Sequence, residues 1–512
     1  MSLEFVWNLS RHFIICIVGG IPPTAVIILN FGFFTLMTLK IRRILFLFFV
    51  IIFFVVAPWL IFYAAGYKIK LSWPPDFRQS LQKTGMFIFD TSPRGAKIFI
   101  DNKPSQLFLQ KYFNKEQSYI KTPAKIKNIL PGEYNIRLEL PGYWPWEKKL
   151  TIKPGQSTYA EDVYLFKKNL PSQITSLIPE EKNFSRLPIR KIEPSPDKKY
   201  FFILNEEKIT IIEAGGNNLF SAALSSLEAK FEPDSPIIWS PDSAKVIAGR
   251  IIFDLKDEDK IIYLDSLLGK EADNFKWGTG SSALYYQYAG SIGYLDLAAE
   301  SKKILASGEN YYDYLIKNDY IFFISGTEKT LKLKGISLKN GEPAKEISLP
   351  FSSAYRLINP GHDLINLYDS AHQLLYLIDY LAAINPLKEV VNNIKYSKWL
   401  DSNRLLYANN FEIWIFDMDT SGSLLGTAGK KILVRISEPI TSVLWHPSKN
   451  YIIYSTDKTI NTIELDERGK RNSTELIKVE KIYSLTLDPR GKTLYFGAKI
   501  GQQEGLYKLE IQ

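Results

Sequence analysis

The sequence predicts a mainly β chain: an N-terminal transmembrane helix (one or two), a small β-sandwich, then a β-propeller of seven or eight blades, eight favoured. Three observations predict it. The run from Ile44 to Ala65 is 22 residues without a charge. Residues 84–167 alternate apolar and polar side chains between closely spaced turns. The remainder repeats a turn at intervals of 38 to 46 residues, the period of a propeller blade built from short strands. The resulting plan is an apolar segment and basic cytoplasmic stretch (1–43), an anchor (44–66), a linker (67–83), the sandwich (84–167) and the propeller (168–512).

With 512 residues, 46% hydrophobic and 23% charged, the chain is long enough for several folded domains and too apolar to be disordered. The one cysteine, Cys16, excludes an intrachain disulfide. His12, His362, His372 and His446 are scattered, with no His-x-x-x-His or Cys-x-x-Cys pair, so no zinc site of familiar spacing is predicted. The net charge is +9, but Lys and Arg are interspersed with Asp and Glu. That pattern reads as a solvated surface with weak attraction for acidic envelope polymers, and a nucleic-acid partner is not expected.

The uncharged run is long enough to span ~30 Å of hydrocarbon at ~1.5 Å per residue. It exceeds the ~7–15-residue apolar core of a cleavable signal, and cleavage after Ala65 would place Tyr63 where a small residue is needed. An uncleaved anchor is predicted. Lys40, Arg42 and Arg43 set its start inside, and Trp59, Tyr63 and Tyr67 form an aromatic belt at its far end. Pro58 is a potential kink. The chain beyond about residue 68 is then extracytoplasmic. Residues 13–39 form a second apolar stretch, broken by Gly19, Gly20, Pro22, Pro23 and Asn30. It reads as a second span, as a re-entrant segment, or as sequence upstream of a start at Met37.

In the sandwich, strands are expected at Met86–Phe89 and Ala96–Ile100, then a turn at Leu130-Pro131-Gly132 feeding a six- or seven-residue alternating strand that ends at Leu140, then Trp146–Ile152 and Ala160–Leu165. Turns fall at Ser92–Gly95, Asp101–Lys103, Pro141–Tyr143 and Pro154–Gln156. The turn Pro93-Arg94-Gly95-Ala96, followed by Pro131-Gly132 and Gly142-Tyr143, resembles the PEGA domain over about residues 84–166, with Arg in place of the usual Glu. The resemblance implies a bacterial surface-associated β-sandwich that binds or supports and does not catalyse. Tyr143, Trp144 and Trp146 are the candidate ligand-binding residues, as an aromatic platform for the C–H faces of a sugar. The competing reading buries one tryptophan in the sandwich and leaves the other at its rim.

Four turns define the repeat: Ser195-Pro196-Asp197, Ser240-Pro241-Asp242, His446-Pro447-Ser448 and Asp488-Pro489-Arg490. Each precedes an apolar strand, because proline sets φ and the next polar residue closes the turn. Weaker copies near residues 279, 317, 360 and 401 bring the openings to eight. The segment from Gln173 to Ile178 is available as an outer strand that closes the ring, removing exposed sheet edges. The Ser-Pro-Asp turns resemble TolB-like and WD-repeat-like propellers, although no Trp-Asp dipeptide occurs.

No Gly-x-Ser-x-Gly elbow is present, and neither Gly215-Gly216 nor Gly278-Thr279-Gly280 leads into a phosphate loop. Asp257, Glu258 and Asp259 lack calcium-loop spacing and read as a solvated patch. No catalytic, cofactor-binding or metal-binding residue is assigned, and the chain is not expected to be an enzyme. The expectation is a membrane-anchored, extracytoplasmic binding or scaffold protein of the bacterial envelope, whose propeller face recognises an envelope protein. The alternatives are cell-wall glycan binding through the sandwich and an envelope enzyme with a site in the propeller channel.

Overall fold

The helix α1 (Leu39–Ala64) is apolar from Arg43 to Ala64, and none of that stretch is buried. Pro58 lies inside it, and the helix continues beyond. These and the following features come from a computed structural model. It describes residues 3–7, 14–18, 39–69, 81–106, 119–173, 189–227, 235–257, 261–327, 330–344, 346–350, 352, 354–358, 363–382, 386–418 and 429–512. Upstream of α1, Leu3–Trp7 pairs antiparallel with Ile14–Val18. Those five residues are therefore strand and not part of a second spanning helix; residues 19–38 lie outside the described residues. After α1, Gly66 turns the chain with φ +80°, and Tyr67–Ile69 pairs with Leu81–Lys83.

The described chain falls into two compact units. One holds residues 1–88, 125–133 and 151–159; the other holds 89–124, 134–150 and 160–512. The boundary passes through strands of the small β-domain. Its strands run Gly85–Ser92, Lys97–Ile100, Lys103–Pro104, Ala124–Ile129, Gly132–Glu139, Trp146–Ile152 and Ser157–Tyr164, in sheets of four and three. Burial along Trp146–Ile152 alternates strictly, with Trp146, Lys148, Leu150 and Ile152 inward. In the turn that carries the family resemblance, Gly95 has φ +99°. Its N–H donates to the Thr122 carbonyl at 2.8 Å, and the Thr122 hydroxyl lies 2.6 Å from that of Thr91.

From residue 191 onward come eight antiparallel sheets of four strands, spanning 191–223, 237–263, 273–307, 311–349, 355–392, 396–435, 440–478 and 481–510. They are numbered one to eight here. In sheet eight the outer strand comes from earlier in the chain: Ser172 and Gln173 pair with Lys508 and Tyr507. This is the expected ring closure, with residues 174–178 outside the described residues.

Each sheet is buried on both faces, which explains why second strands read as unbroken apolar runs such as Phe201-Phe202-Ile203-Leu204. Successive side chains point to opposite faces, so neighbours in sequence serve different cores. Phe202 packs with Val246 between sheets one and two, and Ile247 with Leu284 between two and three. Ile292 and Phe323 join sheets three and four, and Ile324 and Leu367 join four and five. Leu377 with Leu405, Leu406 with Ile452, and Ile453 with Phe496 continue the series. Phe201 and Leu506 then pack sheet one against sheet eight. The ring closes on itself with one core per junction, and each large apolar side chain so buried contributes ~1.5–3 kcal/mol.

Candidate functional site: the turn face of the ring

The first strands of neighbouring sheets pack together, so they form the inner wall of the ring. The turns from first to second strand share one end of that wall. Sheets one and two build this turn identically. The Ser195 hydroxyl donates to Asp197 at 2.7 Å and accepts the Tyr200 N–H at 3.0 Å. Ser240, Asp242 and the Lys245 N–H repeat the pattern at 2.7 and 2.9 Å. Adjacent turns bond to each other: Asp197 N–H donates to Ser243 Oγ at 3.2 Å, and Ser281 Oγ donates to Asp242 at 2.7 Å. A tryptophan at the end of the first strand latches the preceding sheet. Nε1 of Trp239, Trp277 and Trp445 donates to the carbonyls of Glu193, Ile238 and Lys398 at 3.1, 2.9 and 3.1 Å. Through these indoles one sheet grips the next.

Over sheets seven and eight this face is covered by the small β-domain. Trp146 is 3% exposed, and its Nε1 donates to Glu464 at 3.0 Å. The Lys148 ammonium, fully buried, pairs with Glu464 at 2.8 Å and Asp466 at 3.2 Å, and donates to the Asp466 carbonyl at 2.7 Å. Asn472 supplies a further donor to Glu464 at 2.9 Å. Arg468, with Lys148, holds the Asp466 carboxyl down at about 2, against the opposing effect of burial. Nearby, the Tyr164 ring lies 4.2 Å from that of His446, and its hydroxyl donates to the Gly491 carbonyl at 2.7 Å.

This corrects the expectation of a sugar platform. Trp146 is spent inward on sheet seven, so it offers no open face. Trp144 is partly buried against the core of sheets seven and eight, with the Lys168 ammonium 4.7 Å above its ring. Tyr143 bridges Lys167 and is half-buried. The three residues do not form a shared exposed surface. The sequence reading missed Lys148 and its partners, although a signal existed: Lys148 shares the inward register of Trp146 and Leu150, and a lysine there requires carboxylates.

Between these two surfaces lies a cavity of about 570 Å³, whose lining includes Asp90, Arg94, Glu161, Asp162, His446 and Arg490. His446 is buried, and every ring position is used. Nε2–H donates to the Gly491 carbonyl at 3.1 Å, and Nδ1 accepts from Ser448, whose Oγ lies at 2.8 Å. Burial holds its pKa below the ordinary imidazole value, with Gly491 and Asp488 opposing. Gly491 is required by this contact. Its φ is +74°, and a Cβ there would meet His446 Nε2 at 2.6 Å.

The inner wall as a whole is cationic. Its eight first strands carry Lys191, Lys276, Lys317, Arg356, Lys398 and Lys481 against three carboxylates, Glu193, Asp273 and Asp313. Asp313 is fully engaged. Its Oδ1 accepts from Lys276 at 2.6 Å and Asn274 at 3.0 Å, and its Oδ2 from the Leu357 N–H at 2.6 Å. That network ties sheets three, four and five together and leaves cations in excess around the opening.

Residues 112–165 match the PEGA domain family, within the wider stretch in which its turns were read. No curated protein matches the sequence. Among solved structures, the chain is similar to one described as the Dos1 propeller, at 10% identity over 64% of this chain and 94% of that one, TM-score 0.44. It is also similar to a eukaryotic initiation factor at 10% identity over 63% and 86%, TM-score 0.42. Hsv2 of Kluyveromyces lactis is similar at 11% identity over 57% and 99%, TM-score 0.36. At these values the likenesses carry no functional argument, and the closed series of sheets is itself the evidence for the propeller.

Proposed function

We propose that this PEGA-domain propeller protein is a membrane-anchored, non-catalytic binding protein of the bacterial envelope, presenting the open part of its turn face to a partner outside the cytoplasm. The observation that carries the reading is the joining of domains around Trp146 and Lys148. The β-domain spends its conspicuous aromatic and cationic side chains on sheets seven and eight, and so acts as a mount. Ligand contact falls to the turns and inner wall of the remaining sheets. The unburied apolar stretch Arg43–Ala64 supports a membrane anchor, and Lys40, Arg42 and Arg43 support an outward-facing chain.

The test uses the full-length chain in its native membrane. Protease added to intact cells or spheroplasts is expected to digest the chain beyond residue 67, and cross-linking before solubilisation to capture a partner. That capture should survive Tyr143→Ala with Trp144→Ala. Protection until the membrane is permeabilised contradicts the orientation, and loss of capture in the double variant returns recognition to the β-domain.

A further inference from the structure

One junction of the ring lacks the indole latch. Trp239, Trp277 and Trp445 each end the first strand of their sheet. In sheet four that place belongs to Lys317. Its ammonium reaches the other way, donating to the Leu364 carbonyl of sheet five at 3.0 Å. The turns differ as well. In sheet one, Lys198 takes a left-handed position, φ +62°, in a turn closed by Ser195 and Asp197. Sheet four turns through two residues, Asn318 and Asp319, both left-handed at φ +48° and +62°, as in the tightest hairpins. Sheet three turns through Gly278-Thr279-Gly280. Among the described residues no hydrogen bond joins these two turns, whereas adjacent turns are bonded between sheets one and two and between two and three. A cavity of about 670 Å³ opens at this place. We propose that the cavity between sheets three and four, on the turn face, is a binding site for a neutral sugar unit of an oligosaccharide. The inference rests on the reading of the turn face as the binding surface and names its ligand class.

The volume suits a small-molecule site, typically ~300–1,000 Å³. Its apolar wall is aromatic on one side. Tyr285 and Tyr294 stand directly opposite each other on the second and third strands of sheet three, with ring centroids 5.3 Å apart and planes tilted by 57°. Both are half-buried. Ile316 and Leu338 of sheet four face them across the junction. A Cβ at Gly278 would come within 2.7 Å of Ala283 Cβ and 3.2 Å of the Tyr285 ring, so glycine keeps this side of the cavity clear. The face of an aromatic ring is electron-rich, and the C–H face of a sugar presents polarised hydrogens to it.

The polar side of the cavity is balanced in charge. Asp319 pairs with Lys339 at 2.6 Å. Asp363 acts on the buried Lys317, opposing the burial that lowers its pKa. Two ammonium groups thus stand beside two carboxylates, which favours neither an anion nor a cation. Hydrogen-bonding capacity remains. The hydroxyls of Thr279, Tyr285 and Tyr294, Oδ1 of Asn318 and the Asp363 carboxylate have no hydrogen-bond partner among the described residues. Donors and acceptors set around aromatic rings, without net charge, match a polyol that has one apolar face and hydroxyls at its edge.

The experiment is calorimetric titration of the full-length protein, in a detergent without a sugar headgroup, with triacetylchitotriose and separately with maltotriose. Trilysine and tripolyphosphate are the charged comparisons. The parent is expected to bind at least one sugar and neither charged probe. Asn318→Gly with Asp363→Ala removes two exposed hydrogen-bonding groups and keeps the turn relaxed. It should weaken binding about tenfold with no loss of melting temperature. Lys317→Trp, which returns the indole to this junction, should abolish binding in a protein that still melts cooperatively. Tyr143→Ala with Trp144→Ala should leave binding unchanged. Binding of the acetylated trimer alone identifies an acetamido-sugar site, and binding of both trimers a general sugar site. Failure to bind either sugar, tighter binding of a charged probe, or full affinity in both cavity variants overturns the proposal. Loss of binding in the Tyr143/Trp144 variant overturns it too, by returning the sugar to the β-domain. Titration in detergent does not depend on orientation in the membrane, so a negative result leaves the protease test standing by itself.

Discussion

Lys148 and Lys398 lie on the same face of the ring in opposite circumstances. Lys148 is fully buried, with two carboxylates and a carbonyl around it. Lys398 is exposed on the first strand of sheet six, without an ion-pair partner among the described residues. A buried cation survives only when its partners replace water, so Lys148 reports on architecture. An exposed cation without a partner adds nothing to folding, so Lys398 is free to report on function. The covered arc over sheets seven and eight is structural, and the open arc is where recognition belongs.

The sharpest way to break that division is Glu464→Ala. It strands the Lys148 charge and leaves Trp146 Nε1 without an acceptor, which should cost about 3–5 kcal/mol, read by chemical denaturation of the full chain in detergent. A loss under 1 kcal/mol would mean that the β-domain is not mounted through this contact. Gly491→Ala should cost roughly 1–3 kcal/mol, from the positive φ together with the approach of His446. Alanine at Lys198, which has a similar φ but already carries a side chain, should cost far less. Equal losses at the two turns would remove the distinction between covered and open arcs.

Acid should act on the covered arc first. The folded pKa of His446 lies below the ordinary 6.5, so the folded state binds fewer protons than the unfolded one in that window. Its contribution is present above about pH 6.5 and declines as pH falls from there toward the folded value. Asp466, held at about 2, contributes above its ordinary 3.8 and loses that contribution only between there and about pH 2. Melting temperature measured from pH 7.5 to 5 should therefore fall, and His446→Gln should flatten the slope. A slope unchanged in that variant would assign the acid sensitivity elsewhere.

The ring was legible because its determinants are local. Ser-Pro-Asp closes a turn with its own side chains, and the apolar run that follows, Phe201–Leu204 or Val246–Ala248, announces burial on both faces. Trp146 was misplaced for the opposite reason. Alternation identified its strand and left open which tryptophan is buried, but its acceptor Glu464 lies 318 residues away, and no local pattern announces that contact.

The most direct measurement compares the melting temperature of Lys148→Met with that of Lys198→Met/Lys398→Met, both in the full-length chain without ligand. A clear fall is expected for Lys148→Met, because Glu464 and Asp466 lose their buried counter-charge, and an unchanged value for the double variant, because neither lysine has an ion-pair partner among the described residues. A fall in the double variant as large as that of Lys148→Met would contradict it, since the lysines at the mouth would then be holding the ring together.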